Sequence, residues 1–109
     1  MEEWTQDEFL MRLKRKERGV YFLYTPFCGT CQLAERMLHI VKELLPNLPF
    51  GKMNLNLAPD LAQQFKIESV PCLLIYDGGN ITEKIYAFHS VSHLYERLKK
   101  YNASSHSLE

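Results

Sequence analysis

The chain has 109 residues, 46% of them hydrophobic and 24% charged, so it is the size of one domain and can bury a core without covalent staples. Its 13 basic residues balance 13 acidic ones, which removes the basic excess that a nucleic acid or an anionic membrane surface would require. No run reaches the roughly 20 apolar residues of a membrane span, and 3 cysteines are too few, and odd in number, for a disulfide scaffold.

The chain opens Met1-Glu2-Glu3-Trp4-Thr5-Gln6-Asp7. This is acidic and lacks the apolar core of a secretory signal, so a cytoplasmic chain is the expectation. Thr5 and Glu8 have capping-box spacing, and Trp4 and Phe9 stand where a hydrophobic staple would place them, which predicts a first helix from Thr5. Phe9, Leu10 and Leu13 mark its apolar face and Gly19 ends the unit. The charge run Lys14 to Arg18 reads as a solvated helix end.

Val20 to Tyr24 is a continuous apolar run of strand length, the pattern of a strand covered on both faces. Cys28-Gly29-Thr30-Cys31 follows it, and a helix is predicted from about Cys28 to Leu45, stopped by Pro46. Leu33, Met37, Val41 and Leu44 recur at helical spacing and are assigned to its core face.

Two thiols three apart at a helix start suit a disulfide switch. The first can sit exposed where unpaired backbone N–H groups favour its thiolate, a setting that lowers a cysteine pKa into the range of roughly 3.5–7.5. The second lies about one turn deeper, within reach of a mixed disulfide formed on the first. Cys28 is therefore read as the attacking thiol and Cys31 as the resolving one. Gly29 leaves space for a partner chain.

Phe50 to Leu55 reads as a second strand, Pro59 to Phe65 as a short helix with proline in its first turn, and Val70 to Tyr76 as a third strand containing Pro71. Asp77-Gly78-Gly79-Asn80 is a hairpin signal, and Ile81 to Phe88 returns as the fourth strand. A last helix covers about Val91 to Tyr101, with Leu94, Leu98 and Tyr101 on one face. The expected domain is thus 1–101, and residues 102–109 form a small polar tail that frays. Whether the closing Leu108-Glu109 is a vector remnant stays open.

From Val20 to Tyr101 these features resemble the thioredoxin family. The resemblance rests on the strand feeding Cys28-Gly29-Thr30-Cys31, the long helix after it, Ser69-Val70-Pro71, and Gly78-Gly79 in a late hairpin. It implies an α/β, thioredoxin-like three-layer sandwich, with a central mixed four-stranded sheet flanked by helices and little room for more than a short extra N-terminal strand. It also implies a cis proline at Pro71 facing the dithiol, with the backbone of Val70 available to an extended substrate. Phe27, Pro26 and Tyr24 would form an apolar rim, and Gly29 and Thr30 would border the substrate.

The departures from the family pattern are specific. Phe27 stands where thioredoxins usually carry Trp, and Thr30 where they carry Pro. Phe22 occupies the place of the family's buried aspartate, so Lys52, which aligns with that acid's lysine partner, is read as a plain strand residue. Arg36 replaces a helix-kinking proline, and Cys72 stands where Thr is usual.

Cys72 reads as a small buried hydrophobe, the usual state of a free cysteine. A role in redox chemistry, regulation or metal binding near the dithiol is the competing reading. Zinc usually takes four ligands, and no second C-x-x-C or suitably spaced Cys/His pair is present. His89 and His93 are expected to straddle a strand end and a helix start, not to share a metal. His39 and His106 are expected to face solvent.

The function expected is a thiol–disulfide oxidoreductase, monomeric and without a cofactor or a metal. It would exchange electrons between Cys28/Cys31 and protein disulfides, with a thioredoxin reductase as partner and with neither nucleic acid nor membrane. Two alternatives stand beside it. One is a thioredoxin-like adaptor with a redox switch. The other is a metal or iron–sulfur binder using Cys72.

Overall fold

The computed structural model describes residues 1–103. Its elements run β1 (Glu2–Glu3), α1 (Gln6–Lys14), β2 (Gly19–Tyr24), α2 (Gly29–Leu44), β3 (Phe50–Asn54), α3 (Pro59–Gln64), β4 (Cys72–Asp77), β5 (Asn80–Ile85) and α4 (Val91–Ala103), with a single 3-10 turn at Leu55–Leu57 before α3. One sheet carries all five strands in the order β1-β3-β2-β4-β5. β1, β3 and β2 are parallel, whereas β4 and β5 are antiparallel to their neighbours.

The strands of the sheet centre show why a continuous apolar run was needed there. Val20 and Phe22 face the α2/α4 side and pack with Cys31, Ala34, Leu38, Val41, Leu94 and Leu98. Tyr21 and Leu23 face the α1/α3 side and pack with Trp4, Phe9 and Leu61. Successive side chains of a strand point to opposite faces, so a strand covered by helices on both sides must be apolar at every position.

At the N-terminus the capping box forms: Glu8 N–H donates to Thr5 Oγ1 at 3.1 Å, and Thr5 N–H donates to Glu8 Oε1 at 2.7 Å. Trp4 and Phe9 meet indirectly. Each stacks on Tyr21, with ring centroids 5.8 and 4.1 Å away.

The short extra N-terminal strand forms and makes the sheet five-stranded. Glu2 and Glu3 pair with Gly51 and Lys52 of β3, and Trp4 N–H donates to Lys52 O at 2.9 Å. The charge run after α1 is only partly solvated. Arg18 is half-buried; its Nε lies 3.3 Å from Asp77 at the hairpin, and its Nη1 donates to Tyr101 O at 3.4 Å.

Gly78 and Gly79 turn the β4–β5 hairpin with φ of 63° and 92°, the left-handed values that favour glycine and the primed hairpin turns. β5 ends at Ile85, three residues before the expected Phe88, and the segment to Ser90 becomes a loop. α4 continues to Ala103, beyond the expected Tyr101. Asn102 therefore belongs to the helix, and its side chain accepts from Asn47 N–H at 2.8 Å. The rest of the expected tail, with His106, lies outside the described residues.

The phase of α2 is the main packing correction. Its buried residues are Cys31, Ala34, Leu38 and Val41. Of the expected core stripe only Val41 is fully buried; Met37 is half-buried, and Leu33 and Leu44 are 49% and 53% exposed.

Candidate active site

Cys28 is the N-cap of α2, and its sulfur accepts from Cys31 N–H at 3.1 Å. Ser, Thr, Asp and Asn usually do this with an oxygen; here a cysteine sulfur closes the first turn. The N–H and the helix dipole both favour negative charge on that atom, so the thiolate is the form this position stabilises once the thiol is free.

The site stands in its oxidised form, with Cys28 and Cys31 joined in a disulfide and their Cα atoms 5.2 Å apart. The two sulfurs are placed unequally. Cys28 is half-buried, whereas Cys31 is 3% exposed. An incoming disulfide therefore meets Cys28 first.

Phe27 precedes Cys28 with φ of 61° and a fully exposed ring. The left-handed region is costly for a bulky residue, and here it goes with an apolar side chain turned into solvent beside the reactive sulfur. A Cβ added to Gly29 would meet nothing within 4 Å, so the space over the dithiol turn is open. Thr30 Oγ1 lies 3.4 Å from Cys28 Sγ.

The Val70–Pro71 bond is cis. β4 begins only at Cys72, which leaves Val70 outside the strand pairing. Pro71 and Thr30 line one groove of about 330 Å³ together with Leu33, Ala34, Met37, Tyr86, Phe88 and His89. Thus Thr30, between the two cysteines, shares one opening with Pro71, and Val70 packs on the core that includes Cys31. Leu33, Met37, Tyr86, Phe88 and His89 are the wall that sequence reasoning missed. The signal available was a second helical stripe, Cys31-Ala34-Leu38-Val41, whose small members hide it and whose choice as the core frees Leu33 and Met37.

Phe22 is fully buried under this site, its ring edge-on to Phe88 with centroids 6.0 Å apart. Lys52, its register partner in β3, is a correction. Its ammonium donates to Glu35 Oε2 on α2 at 2.7 Å, lies 3.9 Å from Glu3, and stands 5.5 Å from the Tyr24 ring centroid. Partial burial alone would raise the Glu35 pKa. Lys52 and His39 outweigh it and hold the carboxyl below its ordinary value. Tyr24 hydroxyl donates to Glu3 Oε2 at 2.6 Å, and burial followed by that bond raises its pKa.

Cys72 does not join the dithiol. Its side chain packs in the α1/α3 cluster, on the opposite face of the sheet from Cys31. It is fully buried, and burial pushes its thiol up to about 12 despite a hydrogen bond to Tyr86 and the charge of Lys84. A three-cysteine ligand set therefore does not form in one chain. Among the described residues no group of three or more His, Cys, Asp or Glu is placed to hold a metal. His89 and His93 do approach, with ring centroids 4.7 Å apart, from the loop before α4 and from its first turn.

The expected result of thiol counting follows. In the reduced native protein, maleimide at neutral pH labels the half-exposed Cys28, and Cys72 reacts only after denaturation. Cys72→Ala leaves the midpoint of a redox titration within about 10 mV of wild type. Rapid native labelling of Cys72, or a larger shift, would contradict this placement.

The family model for thioredoxin matches residues 1–100. The chain is similar to the thioredoxin-like protein YusE of Bacillus subtilis (strain 168), with 54% identity over 94 residues covering 84% of this chain and 89% of that protein. Thioredoxin-1 of Saccharomyces cerevisiae is 26% identical over 81 residues, covering 74% of this chain and 79% of that one. The crystal structure of oxidised mitochondrial thioredoxin 3 from the same yeast superposes with a TM-score of 0.79 at 22% identity, covering 92% and 94% of the two chains. That last likeness is one of fold.

Proposed function

This chain belongs to the thioredoxin family and is a thiol–disulfide oxidoreductase; from that premise we propose that it reduces disulfides of other proteins in turnover through Cys28 and Cys31. The observation that carries the proposal is the placement of the Cys28 sulfur, half-exposed at the α2 N-cap and accepting from Cys31 N–H, above a buried second sulfur.

In the first step the Cys28 thiolate attacks one sulfur of the substrate disulfide. The substrate S–S bond breaks, a mixed disulfide forms, and the departing substrate thiolate takes a proton from solvent. In the second step Cys31, as thiolate, attacks the Cys28 sulfur. The mixed disulfide breaks, the Cys28–Cys31 bond forms, and the second substrate thiolate leaves. Two electrons and two protons have passed to the substrate. An external dithiol reductant, of which a thioredoxin reductase is one, then restores the site.

The groove beside Pro71 and the exposed Phe27 ring give the substrate chain apolar contact, and Val70 offers its backbone as a short added strand. Phe22 supplies no proton acceptor beneath Cys31, so that thiol gives its proton to water or buffer. Resolution is then slower than in a thioredoxin with an acid at that place.

The test is insulin reduction driven by NADPH and a thioredoxin reductase. Sustained turnover supports the proposal. Tight binding of a protein disulfide without turnover would replace it with the adaptor reading.

A further inference from the structure

Three of the four residues that the sequence assigned to the core, Leu33, Met37 and Leu44, lie with Ile40 on an open face of α2. Leu33, Ile40 and Leu44 are 49%, 53% and 53% exposed, and Met37 is half-buried between them. Leu33, Met37, Ile40 and Leu44 recur at intervals of four, three and four, the d-a-d-a spacing of a coiled-coil seam, over about 16 Å of helix. Val91 and Tyr95 of α4 are half-buried and pack, like Met37, against the core that α2 covers. Scattered exposed apolar residues are ordinary, but four in heptad register form a continuous surface.

The charges beside the stripe indicate what covers it. Arg36 and Glu43 are exposed, stand at successive g positions on one flank, and among the described residues form no ion pair. If a second α2 packs antiparallel about a two-fold axis, Leu33 meets Leu44, Met37 meets Ile40, and Arg36 of each chain faces Glu43 of the other. An isologous interface requires this self-complementarity. A parallel pairing would set Arg36 against the e position, Val41, and leave both charges unmatched.

We propose that α2 is a self-association surface, on which a second copy of this chain docks antiparallel through Leu33, Met37, Ile40 and Leu44 with Arg36 paired to Glu43. A seam of this length falls short of the roughly 800 Å² per partner of a standard interface, so the dimer is weak and concentration-dependent. The inference revises the monomer expected from sequence and does not depend on the redox reading.

Sedimentation velocity of the full chain, from about 10 µM to about 1 mM, tests it in the range where so small an interface associates. The weight-average sedimentation coefficient is expected to rise reversibly toward the dimer value. Ile40→Lys, at an exposed position outside the groove, should stay monomeric at the highest concentration with an unchanged circular dichroism spectrum. Arg36→Glu and Glu43→Arg should each weaken association about tenfold, and the double swap should restore it. A wild type that stays monomeric throughout would overturn the proposal and leave the stripe to a disulfide-bearing client. Association indifferent to Ile40→Lys, or a swap that fails to recover, would overturn it as well.

Discussion

Cys28→Ser is expected to reduce protein-disulfide reduction by on the order of 10³-fold or more, to the uncatalysed background, because it removes the nucleophile itself. The hydroxyl can still accept from Cys31 N–H, so α2 keeps its cap and the fold survives. That makes the variant a test of chemistry and not of stability. Cys31→Ser should behave differently. The first attack remains possible, the second does not, and a Cys28-linked mixed disulfide accumulates at up to one per chain. Intact-mass spectrometry under non-reducing conditions, beside single-turnover kinetics, reads both results. Turnover near wild type in either variant would remove the two-thiol mechanism.

A large loss of stability is expected from Gly51→Ala, far from the dithiol's groove. Gly51 lies in β3 against the Trp4 ring, and a Cβ there would overlap the indole well inside contact distance. Trp4 has little freedom to retreat. Its carbonyl accepts from the Tyr21 hydroxyl at 2.7 Å, its N–H donates to Lys52 O, and the Arg12 guanidinium lies 3.8 Å from its ring centroid. Relieving the overlap means moving β1 and the entry to α1. Overpacking of this kind costs about 3 kcal/mol, which in a domain of this size lowers Tm by about 10–20 °C. Thermal melting followed by circular dichroism measures it; a Tm within 2 °C of wild type would show that the N-terminal segment yields at little cost. At low temperature the folded fraction should keep its disulfide chemistry, since Trp4 belongs to the cluster on the other face of the sheet.

The parts of the fold legible in the sequence were those that local chemistry specifies. Thr5 with Glu8, Gly78 with Gly79, and the strand before Cys28 each write their structure within a few residues. The Cys28/Cys31 turn was legible for the same reason.

What escaped depends on contacts distant in sequence. Glu2 and Glu3 are too few and too charged to read as a strand, and they become one only because β3 offers an unpaired edge. The phase of α2 was ambiguous because two stripes both fit a helical period. Size misled: Leu and Met outweighed the small Cys31 and Ala34, which actually face the sheet. Lys52 reads as partnerless because its neighbour on β2 is Phe22, whereas its carboxylate comes from Glu35 on α2. The side of the sheet taken by Cys72 follows from its pairing with Leu23 of β2, since directly opposed residues share a face, and that register is not written in the local sequence.

The sulfur of Cys28 closes the first turn of the longest helix among the described residues and is also the atom that changes bonding partners in every cycle. Whatever is attached to it, whether the neighbouring sulfur, a client or nothing, is felt at the Cys31 amide. That amide proton is thus a gauge of oxidation state built into the backbone. A captured client is held at the root of a rigid rod, with a hydrogen-bond donor already aimed at the junction.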